Sequence, residues 1–159
     1  MSFITKEKSV ALYAALVSFG TYVFIFGFRK SFTVCTFEGM TFGPIAFKTA
    51  MVISQMLGYL MAKFYGIKFI SGLEKKHRYK IIFLLTGIAW AAWLLFAIVP
   101  APYSILFLFI NGFPLGILWG VVFSYVEGRR STDFIGAALA VSFIFSAGWV
   151  KSVGAWLMQ

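Results

Sequence analysis

Residues 104–126 read SILFLFINGFPLGILWGVVFSYV, without one charged side chain. A bilayer core of about 30 Å is crossed by roughly 20 residues of helix, so this run is long enough to span it. Gly112, Gly116 and Gly120 recur every four residues and fall on one helical face. Helices in lipid gain nothing from hiding apolar surface and associate through such small residues instead. Pro114 removes a helical hydrogen bond and invites a kink, and Asn111 lies about one turn before it.

The rest of the chain follows the same pattern. Of 159 residues, 61% are hydrophobic and 12% charged, with a mean hydropathy of +0.91. A soluble domain carries about 25% charged residues. Too little polar surface remains to coat a water-soluble globule, so lipid is the expected solvent. The 20 Phe and 5 Trp suit a lipid-facing surface with interfacial belts. The expected fold is all-α, one polytopic transmembrane bundle of about five spans, near 9–33, 49–70, 81–99, 104–126 and 134–158. A signal peptide is a poor reading of the first run, because Arg29-Lys30 follows it without a small-residue cleavage site. Gly58, Ala62 and Gly66 on helix two form a second small-residue face, and Gly136, Ala140, Ala147 and Gly148 mark helix five.

The net charge of +9 comes from cations clustered between apolar runs. That placement reads as topology and contact with anionic headgroups; no basic helix or aromatic platform suggests nucleic acid. Residues 74–80, EKKHRYK, are the densest cluster, and 127–133, EGRRSTD, join spans four and five. With Lys6 and Lys8 they mark one side, which the positive-inside rule makes cytoplasmic, in a plasma membrane of bacterial inner type. Arg29, Lys30 and Lys48 break the rule on the opposite side, unless Arg29 and Lys30 continue helix one and face a cavity.

Enzymatic chemistry is not expected. No nucleophile stands with a base, and no His, Cys or carboxylate set has metal spacing. His77 reads as a solvated loop residue, Cys35 as a small packing residue, and Ser131, Thr132 and Asp133 as the cap and first turn of helix five. No cofactor and no metal are implied.

The informative residues are cations inside spans, where a buried Lys or Arg costs at least about 2.5 kcal/mol. Gln55, Tyr59 and Lys63 form one polar stripe on helix two, Tyr22 and Arg29 share a face of helix one, and Lys151 stands between Trp149 and Trp156. No span carries a carboxylate in its interior to neutralise them. Converging cations attract an anion, and an arginine fork suits phosphate or carboxylate. Arg29, Lys30, Lys63, Tyr22, Gln55, Tyr59, Asn111 and Lys151 are therefore the candidate substrate-binding residues. Gly58, Ala62, Gly66, Gly112, Gly116 and Gly120 are the helix-packing set.

Residues 22–32, YVFIFGFRKSF, resemble the first helix of the organophosphate:phosphate antiporter branch of the major facilitator superfamily, a tyrosine-rich run followed by Arg-Lys-x-Phe. Residues 54–66, SQMLGYLMAKFYG, are similar to that branch's second helix, and 111–120, NGFPLGILWG, to its Gly-rich, Trp-containing fourth. The resemblance implies that Arg29 holds a substrate phosphate, assisted by Lys30 and Lys63. Two features depart from the family: the loop after helix two lacks its aspartate, and helix five lacks its histidine. The superfamily uses two six-helix halves, each of inverted three-helix repeats. The expectation is therefore an incomplete N-terminal half of a secondary transporter that moves a small anionic solute, such as an organic phosphate, by alternating access. A missing C-terminal half or second subunit completes it. The competing expectation is a non-transporting membrane module that binds a partner protein or lipid through its small-residue faces.

Overall fold

A computed structural model describes residues 2–128 and 132–158. The chain is all-α, with five long helices: α1 (Ser2–Lys30), α2 (Phe47–Ser71), α3 (Arg78–Ile98), α4 (Ile105–Phe123) and α5 (Thr132–Leu157). Short 3-10 turns follow α1 (Ser31–Val34) and precede α3 (Lys75–His77). Each helix falls within a few residues of its expected span, except that α1 starts at Ser2, ahead of the apolar run. A small hairpin, absent from the sequence expectation, joins α1 to α2. Its strands β1 (Thr41–Phe42) and β2 (Ile45–Ala46) pair antiparallel around Gly43, whose φ of 59 is one that glycine adopts without cost. The hairpin is tied to α2 by the Phe47 amide, which donates to the Met40 carbonyl at 3.1 Å.

Four stretches are long and apolar enough to cross a membrane: Ser9–Val34, Lys75–Ile98, Ile105–Phe123 and Thr132–Leu157. The chain is an integral membrane protein. Its outward residues agree, since Phe83 and Ile144 are 77% and 78% exposed, a state that only lipid makes favourable along a whole helix.

The chain divides into two compact units: residues 1–34 with 122–159, and residues 35–121. In the first, α1 and α5 run parallel. Ala15 clusters with Ile135, the Tyr22 ring lies 4.4 Å from that of Phe143, and Val34 touches Gly154. The face of α5 that meets α1 carries Ile135, Leu139, Ser142, Ser146 and Val150, all buried. Gly136 and Gly148, expected in a close helix contact, have open space where a side chain would stand.

In the second unit, α2 and α4 also run parallel. Ser54 Oγ donates to the Ile105 carbonyl at 2.9 Å, Gly116 faces Tyr59 and Ala62, and Gly120 faces Ile70. At about 1.5 Å per residue, α2 is roughly 37 Å long, enough to span. Its apolar run is broken by Ser54, Gln55, Lys63 and Lys68, and it is not one of the four qualifying stretches. It lies alongside α4 over most of its length.

Candidate functional site

The α2–α4 seam is set by glycine. A Cβ on Gly112 would overlap the Gln55 carbonyl oxygen, and one on Gly58 the Phe109 carbonyl oxygen. On Gly116 it would come within 2.6 Å of the Ala62 methyl. Backbone therefore rests on backbone, and the predicted packing residues Gly58, Ala62, Gly112, Gly116 and Gly120 are used within this unit. Gly66 makes only ordinary contacts with Ile70 and Ile117.

Close approach brings two amides together. Gln55 Nε2 donates to Asn111 Oδ1 at 2.9 Å, and Asn111 Nδ2 donates to the Ala89 carbonyl of α3 at 3.0 Å. Gln55 is 2% exposed and Asn111 0%. Three helices are joined by two buried bonds. The sequence reading gave both amides to the solute; in the structure they are buried and bond to each other and to α3, across a seam that Gly58 and Gly112 draw close.

Two turns along α2, Lys63 lies half-buried with its ammonium 5.0 Å from the centroid of the Tyr59 ring and 4.2 Å from that of Trp119. The negative faces of aromatic rings attract a cation, most strongly where water is scarce. This cage accounts for a charge two-thirds of the way along a span. Tyr59 and Lys63 stand together as their spacing implied. Trp119 belongs with them and was missed as a site residue. It sits on another helix, so no spacing within α2 points to it.

In the other unit, Arg29 and Lys30 form the last turn of α1, as the helix-continuation reading required. Both are half-buried. The parallel register that sets Tyr22 beside Phe143 and Val34 beside Gly154 brings Lys151 of α5 to the level of Arg29 and Lys30, so the pair gathers three cations near one end. Cations are favoured at a helix C-terminus, where the dipole is negative. Lys151 is exposed. Tyr22, two turns back, is 2% exposed and lies against Phe143, in the helix interface.

Lys48 has a local role: its ammonium donates to the Cys35 carbonyl at 2.9 Å, fastening the α1–α2 connection. Arg129, Arg130 and Ser131 lie outside the described residues. Among the described residues no group of His, Cys, Asp or Glu is placed to hold a metal ion.

Residues 31–159 match a family of unknown function (DUF5690), and the chain belongs to that family. No curated protein and no solved structure matches it.

Proposed function

We propose that the chain is the N-terminal half of a secondary transporter of major facilitator type, acting on a small anionic solute, with an organic phosphate as the leading class. The observation that carries this reading is the parallel α1–α5 register, which brings Arg29, Lys30 and Lys151 to one level. Arg29 supplies the two-pronged donor that matches a phosphate, and the lysines supply charge without fixed direction.

Topology supports the reading independently. Inverted repeats would exchange α1 with α4 and α2 with α5, which turns the α1–α5 pair into the α4–α2 pair. Both pairs are parallel and both are close. In this reading a sixth helix and a second half come from further sequence or a second chain, and Lys63 serves the solute when it leaves its aromatic cage. The cations of Lys6, Lys8 and 74–80 face the cytoplasm, with the N terminus inside a bacterial-type inner membrane. The module alternative is weakened, since the glycines it would offer a partner are engaged between α2 and α4.

The test is binding and uptake of labelled glycerol phosphate and hexose phosphate by the intact protein in proteoliposomes. Wild type should bind at least one of them, and Arg29→Ala with Lys30→Ala should weaken it at least tenfold. Equal uptake by wild type and an Arg29→Ala, Lys63→Ala variant would sink the anion site.

A further inference from the structure

Between α2 and α3 the chain concentrates Lys68, Lys75, Lys76, Arg78 and Lys80 around one carboxylate, Glu74. Glu74 Oε2 accepts from Lys76 Nζ at 2.9 Å and lies 3.6 Å from His77 Nδ1. Lys68, Lys75 and Lys80 are exposed. Five cations stand with one carboxylate in this stretch, a surplus of four positive charges. The first turn of α3 adds to it: it contains no acidic residue, and its cap, His77, makes no side-chain capping bond. The partial positive charge of the helix end thus reinforces the side chains.

Location selects the partner. α2 ends at Ser71 and the next membrane-crossing stretch begins at Lys75, so the turn is too short to leave the headgroup layer. Tyr79 is exposed there, with Lys80 Nζ 6.0 Å from its ring centroid, and tyrosine favours the membrane–water boundary. The patch is thus held where lipid phosphates are most concentrated.

We propose that this turn binds the headgroup of an anionic phospholipid, and that Glu74 is an intramolecular competitor holding Lys76 until a lipid phosphate displaces it. The lipid phosphodiester is gripped by Lys75, Lys76 and Lys80, with Tyr79 at the boundary of the acyl region. This does not depend on transport.

The experiment places the full chain in nanodiscs of phosphatidylcholine with a minor fraction of phosphatidylglycerol, then measures by native mass spectrometry which lipid stays bound. Wild type should retain phosphatidylglycerol well above its bulk fraction. Lys75→Gln with Lys80→Gln should cut that enrichment, by up to roughly fivefold per charge. Glu74→Gln should raise it, an increase that misfolding cannot imitate. Absence of enrichment in wild type, or no increase with Glu74→Gln, overturns the proposal. So does removal of the retained lipid by inorganic phosphate at physiological concentration, which would make the turn a site for the free ion.

Discussion

Gln55 and Asn111 share a hydrogen bond of 2.9 Å between α2 and α4, and Asn111 passes the connection on to the Ala89 carbonyl of α3. Asn111→Ala leaves the buried Gln55 amide without its partner and takes one of two bonds from the Ala89 carbonyl, which lies within α3. It should cost about 1–2 kcal/mol, the range seen for polar contacts between membrane helices. The double variant with Gln55→Ala should cost less than the sum of the singles. Equilibrium unfolding in mixed micelles measures this, and strictly additive losses would mean that the pair is not coupled.

Two glycine substitutions should diverge. Gly112→Ala forces a methyl into the Gln55 backbone and should destabilise by about 1–3 kcal/mol. Gly136→Ala meets open space within α5 and should be neutral or stabilise by up to about 1 kcal/mol, through helix propensity alone. Thermal denaturation in detergent ranks them; similar losses from both would count against the α2–α4 seam.

The Lys63 cage should show itself as coupling. Lys63→Met and Trp119→Leu are each expected to destabilise, with an interaction energy of about 0.5–2 kcal/mol in the double-variant cycle. Lys63→Arg should retain most of it. A coupling of zero would show that the ammonium does not use the ring.

That α2 crosses the membrane is open to chemical test. In a Cys35→Ser background, Glu38→Cys and Tyr103→Cys should react with an impermeant thiol reagent from one side. Gly72→Cys and Glu127→Cys should react only from the other. Labelling of positions 38 and 72 from the same side would remove the fifth span.

The spans were legible because bilayer thickness imposes a length on apolar runs, and four of the five helices contain a stretch that meets it. The glycine repeat on α4 was legible as a contact face for the same reason: period and residue size suffice. Which helix it meets was not legible, because pairing depends on shape across chain segments far apart in sequence. The same limit explains the missed Trp119 and the two amides misread as ligands for a solute. Gln55 and Asn111 look like site residues as long as each is viewed on its own helix. The hairpin at 41–46 did leave a signal, Gly43-Pro44 between apolar residues, but strands of two residues carry no period. On α5, Gly136 and Gly148 misled because small residues permit close contact without requiring it, and α1 meets the face bearing Ser142 and Ser146 instead.

The parallel seating of α2 against α4 also orders events during synthesis. Three polar groups of α2 have partners on a helix made later: Ile105 for Ser54, Asn111 for Gln55, and Trp119 for Lys63, which also meets Tyr59 of its own helix. Until residues 105–119 emerge, α2 enters the lipid with these groups unsatisfied, or waits at its edge. Nascent chains halted near residue 100 should therefore leave α2 extractable by alkali, while chains halted beyond residue 123 should hold it in the bilayer.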